Sequence, residues 1–376
     1  GRFMRKYFIL VFLLMFCGVM TTYTQPKPLV LNPIKHYGLK DSDDLNYLFS
    51  NIRAVAVNSK GEVFITNTSD HTIRVFNKDG EFLRKMGGKG RGPGEFMDLT
   101  SISIDAQDRV TAVDRFQDKV VRFKAISTDF DEFLLPETSL ATLRMAQTLP
   151  NGHMVMIYRH TEGPNSEANL VHQVDTENEK VIGRYADAFT YFYDRNIPIE
   201  VEMSSVPRYE ATKFGSDKIA LSSGNYTGTI AILDFKTAST KLIGKPLKLF
   251  YEEFSGRNRE YYKSQGYSGI ITISGQNGRF MYQPHGYVLG LVGNSKYLLQ
   301  FYAVHENNAI VTYVDIYSSE GKLIAKQSLM NSGITFFDGR YYSALPKFLD
   351  ENNNLYIYES SEYPKVQVYA TNLDEL

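Results

Sequence analysis

An all-β, six-bladed propeller of four-stranded antiparallel blades is the fold predicted for this chain of 376 residues, on three observations. The segments Ile52–Phe76 and Leu99–Phe123 are near-copies offset by 47 residues: Asn58 falls on Asp105, Val63 on Val110, Asn67 on Asp114, His71 on Asp118, Ile73 on Val120 and Phe76 on Phe123, without a gap. Each copy alternates apolar and polar residues, which is the period of a strand and not of a helix. Weaker copies recur along the rest of the chain. A period in the forties, built from short strands and turns, is the signature of propeller blades.

The first blade is predicted to use strands Arg53–Val57, Glu62–Thr66, Thr72–Phe76 and Glu81–Met86. Its joints Asn58-Ser59-Lys60-Gly61 and Asn77-Lys78-Asp79-Gly80 carry tight-hairpin chemistry, with glycine free to take positive φ. After the second copy come Leu143–Val174 around Pro150-Asn151-Gly152, Tyr209–Asp234 around Gly215-Ser216-Asp217, Val288–Ile316 around Gly293-Asn294-Ser295, and Leu345–Tyr369 through Asp350–Asn354. The last copy holds only three strands, whereas Ile34–Gly38 reads as a strand without a blade. Pairing the two would complete the final blade and leave the ring without free edges. A seventh blade is the rival count, if Phe250–Gly286 contains one.

With 43% hydrophobic and 22% charged residues and a formal net charge of −1, the chain can bury a large core but has no bulk attraction for polyanions, which argues against a nucleic-acid partner. Arg2, Arg5 and Lys6 precede the apolar run Tyr7–Met20, and Thr22-Tyr23-Thr24 places small residues before Gln25. That is the layout of a signal peptide over residues 1–24, followed by a single domain over 25–376. At ~1.5 Å per residue the run reaches about 21 Å, short of a hydrocarbon core of about 30 Å, so no membrane insertion is expected after cleavage. The expected location is the periplasm, the cell surface or the exterior. The one cysteine, Cys17, lies in the run after Phe16, where a lipoprotein signal needs a small residue. The mature chain would then have no disulfide and no thiolate ligand or nucleophile. With no Trp but 26 Tyr and 24 Phe, packing between sheets is expected to be aromatic.

The run Gly87-Gly88-Lys89-Gly90-Arg91-Gly92-Pro93-Gly94-Glu95-Phe96, followed by Ile102–Asp105 and Val110–Asp114, resembles the blade joint of NHL-repeat propellers. More closely, the chain resembles exported, six-bladed, TolB-like propeller proteins of Bacteroidota and related bacteria. The resemblance is strongest over Ile52–Phe123 and returns over Leu345–Tyr369. It implies a binding scaffold rather than a defined chemistry. As a phosphate loop the same run fails: Pro93 stands where a dinucleotide fingerprint needs its third glycine, and Gly90 follows Lys89 where a P-loop needs Ser or Thr.

In antiparallel blades the second-to-third connections and the outer-to-next-inner connections share one face of the disc. On that face fall the long segments Arg159–Ala168, Ala186–Pro207, Lys245–Tyr287 and Asn331–Ala344, together with the glycine run. Elaborated loops on a rigid scaffold are where function concentrates. The candidate ligand-binding residues are therefore Arg91, Arg115, Arg159, His160, Tyr226, Arg257, Tyr262, His285, His305 and Tyr341. The segment Phe250–Gly286 is rich in Tyr and Arg, the composition of a contact surface. Asn67, Asp114 and Glu359 end equivalent second strands; they would either ring a Ca²⁺, as in gluconolactonase-like propellers, or cap their own turns. The seven histidines show no H-x-x-x-H pair and no serine sits in a G-x-S-x-G elbow. No other cofactor is expected. The expected function is an exported recognition scaffold for a protein, peptide or glycan; the alternatives are a hydrolase or lyase with a metal at the central channel, and a structural part of a cell-surface assembly.

Overall fold

A computed structural model describes residues 27–124, 129–134, 142–159, 169–187, 209–247, 250–264, 271–275, 278–283, 285–306, 309–337 and 341–376. The first blade is β2 (Val55–Val57), β3 (Val63–Asn67), β4 (Thr72–Phe76) and β5 (Phe82–Gly87), and the second is β6 (Leu99–Ile104), β7 (Val110–Asp114), β8 (Lys119–Phe123) and β9 (Phe130–Leu134). The third is β10 (Thr142–Thr148), β11 (Met154–Arg159), β12 (Asn169–Asp175) and β13 (Lys180–Asp187), and the fourth is β14 (Tyr209–Lys213), β15 (Lys218–Ser223), β16 (Thr229–Asp234) and β17 (Ser239–Gly244). In each, sequence neighbours pair as antiparallel strands.

The segment after β17 does not form a seventh blade. It folds as a three-stranded sheet of β18 (Phe250–Glu253), β19 (Ile271–Gly275) and β20 (Gly278–Gln283), with β20 in the middle, and a helix α1 (Gly256–Ser264). The fifth blade follows as β21 (Tyr287–Gly293), β22 (Tyr297–Glu306), β23 (Ala309–Ser318) and β24 (Leu323–Ser328). The sixth has β25 (Ala344–Leu349), β26 (Asn354–Glu359) and β27 (Lys365–Thr371), and its outer strand is β1 (Leu31–Tyr37), which pairs antiparallel with β27. The strand expected at Ile34–Gly38 therefore begins three residues earlier and ends one earlier, with a bulge between Pro33 and Lys35.

The middle strands of a blade are buried on both faces, because each blade lies between two others. In β3 the side chains of Val63 and Ile65 join the cluster shared with the sixth blade, while Phe64 joins the one shared with the second. Six buried apolar clusters occur among the described residues, one at each seam of the ring. In outer strands such as β5 exposed positions alternate with half-buried or buried ones. None of the described helices is long and apolar enough to cross a membrane.

The hairpins within the blades repeat one device. Asn58 Oδ1 accepts from the backbone N–H groups of Lys60 and Glu62, at 3.0 and 2.9 Å, and Gly61 closes the turn at φ +77°. Asp105 and Asp350 make the same pair of bonds in the second and sixth blades, where Asp108 and Asn353 take the left-handed position at φ +58° and +63°. Asn and Asp tolerate that conformation because their short side chains bond the local backbone. The glycine run is the joint between β5 and β6, closed by a 2.7 Å bond from Phe96 N–H to the Gly88 carbonyl.

Phe76 is fully buried at the seam of the first and sixth blades, ringed by Tyr37, Tyr47, Phe49 and Phe82 at centroid distances of 5.7 to 6.1 Å. Truncating it to alanine should cost about 3–5 kcal/mol in urea or thermal unfolding. The same change at Phe116, which is exposed, should stay within about 0.5 kcal/mol.

Candidate functional site

The fifth blade carries the longest hairpin, with ten residues in each of β22 and β23. Antiparallel pairing sets Tyr302 opposite Tyr313 and Gln300 opposite Asp315, and Asp315 in turn opposite Lys326 on β24. Side chains two apart share a face of the sheet, so Tyr313, Asp315 and Tyr317 turn together toward the fourth blade. There Tyr317 joins the apolar cluster and the Gln300 amide donates to Ser222 Oγ at 2.6 Å.

Tyr226, from the connection between β15 and β16, completes this seam. Its hydroxyl donates to Asp315 Oδ2 at 3.1 Å, and the Tyr302 hydroxyl donates to Asp315 Oδ1 at 2.9 Å. The two rings stack at 3.6 Å with an interplanar angle of 5°, and Tyr313 lies 5.8 Å beyond Tyr302 at 21°. Lys326 Nζ sits over all three rings, 5.4 Å from Tyr302 and Tyr313 and 6.0 Å from Tyr226, within cation–π range. Burial pushes the Asp315 carboxyl above the usual carboxylate range, against the pull of the two hydroxyls and the Lys326 charge. Burial also raises the Tyr226 phenol to about 12 and the Tyr302 and Tyr317 phenols well above their usual value. All three are therefore protonated at neutral pH, and Tyr226 and Tyr302 can act as donors to Asp315.

Against these rings opens a cavity of about 250 Å³, lined by Tyr226, Leu247, His285, Tyr302, Val304, His305, Glu306, Tyr313 and Lys326. Leu247 and His285 come from the two stems of the insertion. The stems are pinned to the connection that carries Tyr226: Leu247 N–H bonds the Thr227 carbonyl, Tyr226 N–H the Gly286 carbonyl and Val288 N–H the Gly224 carbonyl, at 2.8 to 2.9 Å. The Tyr313 hydroxyl donates to Glu306 Oε2 at 2.9 Å, which raises the phenol. By its connections the cavity lies on the long-loop face.

Three residues expected from the sequence, Tyr226, His285 and His305, meet at this cavity. The others lie elsewhere. Arg91 is exposed on the glycine joint, Arg257 and Tyr262 lie on α1, and Tyr341 is 74% exposed before β25. Arg115 and Arg53 both pair with Asp98; burial would raise that carboxyl, but the two guanidiniums outweigh it and hold it below the usual range. Arg159 ends β11 with a side chain outside the described residues, as are His160 and the expected signal segment. Tyr302, Tyr313, Asp315, Lys326, Glu306, Val304 and Leu247 were not singled out from the sequence. The available signal was the alternation Tyr313-Val314-Asp315-Ile316-Tyr317, which puts polar groups where a buried face is expected.

A larger recess, about 340 Å³, lies at the tight-turn end of the same two blades. Its walls are turn residues such as Gly215, Ser216, Asp217 and Ser319, with Phe214 the one ring, so it offers little directional apolar surface.

A family profile described as 6-bladed beta-propeller, DUF5128, matches residues 39–213. Six four-stranded sheets decide the architecture. The chain is a six-bladed β-propeller. In fold this propeller is similar to a Bacteroides fragilis protein described as exported, at 16% identity and a TM-score of 0.57 over 91% of this chain and 94% of that one. It is also similar to a member of the DUF4221 family from Bacteroides vulgatus, at 9% identity and 0.55 over 92% and 97%. Virginiamycin B lyase from Staphylococcus aureus aligns at 12% identity and 0.48 over 91% and 99%. At these identities the likeness is one of fold. No curated protein matches the sequence.

The three oxygen-bearing residues considered for Ca²⁺ are engaged within their own parts of the propeller. Asn67 accepts from Ser50 N–H and donates to Asp70, and Asp114 accepts from the N–H groups of Met97, Asp98, Phe116 and Gln117. Glu359 accepts from the Tyr369 hydroxyl and pairs with Lys365 at 3.5 Å. Asp114 thus bonds backbone N–H groups of its own turn, whereas Glu359 is held by side chains. Among the described residues no three His, Cys, Asp or Glu side chains are placed to hold a metal ion.

The raised Asp315 carboxyl has a consequence for stability. A folded-state pKa above the unfolded one contributes stability that is fully present below the unfolded value and is lost as pH rises through the folded value. Melts of the wild type and Asp315→Asn between pH ~4 and ~7 should show the wild type losing stability relative to the variant as pH rises. A difference that is constant, or that moves in the wild type's favour, would contradict this account.

Proposed function

We propose that this propeller is an exported recognition scaffold whose ligand, a protein, peptide or glycan, docks on the long-loop face at the cavity between the fourth and fifth blades. The observation that carries the reading is the convergence of three tyrosine rings with Lys326, His285, His305 and Glu306 on one cavity. Tyrosines bring apolar area and a directional hydroxyl at low entropic cost, which is why they anchor recognition surfaces. Here they are pre-ordered by stacking and by Asp315, so little ordering remains to oppose binding. The insertion forms a wall of the cavity through Leu247 and His285. Export is supported by the basic, apolar and small-residue order of residues 1–24.

A hydrolase or lyase with a metal at the central channel draws less support, because Asn67, Asp114 and Glu359 are already engaged by neighbouring donors.

Peptide and glycan arrays probed with the full chain should identify a ligand whose affinity falls at least tenfold in Tyr313→Ala, a loss of about 1.4 kcal/mol or more, with the melting transition unchanged. Deleting Ser255–Gly278 should weaken the same ligand while melting stays cooperative. Array binding indifferent to both changes would contradict the site.

A further inference from the structure

We propose that the ligand of this cavity is an acidic glycan whose sugar carboxylate pairs with Lys326; the proposal rests on the scaffold reading above. Size is the first argument. About 250 Å³ falls below the roughly 300–1,000 Å³ of pockets that enclose drug-sized ligands, so the cavity takes one ring or one side chain rather than a helix or a folded surface.

The second argument is the mixed lining. A wholly apolar group would strip water from Lys326 and Glu306 and return no hydrogen bond, which is costly. A pyranose has a C–H face for the half-buried Tyr313 ring, behind which Tyr302 is buried, and a rim of hydroxyls for the polar groups beside it.

Charge is the third. Among the described residues the Lys326 ammonium makes no hydrogen bond and no ion pair; it lies over the three ring faces and acts on Asp315 only through space. The acids nearby are held by neutral hydroxyls, Glu306 by Tyr313 and Asp315 by Tyr226 and Tyr302 behind the ring stack, and among the described residues neither forms an ion pair with Lys326. An incoming carboxylate therefore meets a cation with donors to offer, held over three ring faces.

The test is calorimetric titration of the full chain with oligogalacturonate, oligoglucuronate and oligomannuronate, each beside its methyl ester, which keeps the backbone and removes the charge. The proposal predicts that at least one acid binds tenfold or more tighter than its ester, that Lys326→Gln abolishes the difference, that Lys326→Arg retains most of it, and that added salt weakens it. If a glycan binds with loss in Tyr313→Ala but without regard to its charge or to Lys326→Gln, the carboxylate pairing is wrong and the scaffold reading survives. If peptides bind the site and none of the acids does, the glycan assignment is wrong while that reading again survives. If no acid, ester or array member binds the wild type, both are overturned.

Discussion

A buried carboxylate joins two blades of this propeller. Asp315 accepts hydroxyl bonds from Tyr302 on its own blade and from Tyr226, 89 residues earlier on the neighbouring one. Removing a carboxylate from water is expensive unless its oxygens are bonded. Tyr226 and Tyr302 therefore have few ways to lie, and both rings are held in register by a single acceptor. Their 3.6 Å stack follows from that restriction, as does the aromatic wall against which the cavity opens. Lys326, opposite Asp315 in the sheet, adds a positive charge over the rings and offsets part of the cost of the buried acid.

The wider architecture makes such a site possible at low cost to the fold. A blade buried on both faces derives its stability from the seams, where six apolar clusters close the ring. The connections at the disc's ends take little part in this, so one face is free to carry the three-stranded insertion while the other keeps short Asn, Asp and Gly turns. The stems of the insertion bond the chain on either side of Tyr226, which couples the elaborated loop directly to the buried acid.

The repeat was legible because its signals are local. Alternation marks the strands, and Asn58, Asp105 and Asp350 announce turns whose bonds reach only two and four residues ahead. Strand ends shifted by one to three residues, at β1 beside a bulge at Pro33/Lys35 and at β2 and β3 in pairings without one. His71 and Asp118, aligned by the 47-residue offset, both take the left-handed position at φ +51° and +47°. The site was legible only in part: sorting loops by face singled out Tyr226, His285 and His305. Lys326 and Asp315 lie within regular strands, where no loop rule applies, and the bond from Tyr226 to Asp315 depends on a seam that no local pattern encodes. Arg115 lies apart from the cavity for a related reason, since its partner Asp98 lies 17 residues earlier, on the far side of the β6–β7 hairpin.

The claim that one buried acid couples the two blades is tested most directly by a double-mutant cycle on Tyr226→Phe and Asp315→Asn, read by urea unfolding at neutral pH. The structure predicts that the two changes are not additive, with a coupling energy of about 0.5–3 kcal/mol. Additive losses would mean that the hydroxyl and the carboxylate act independently, and would contradict the account of the seam and of the cavity that rests on it.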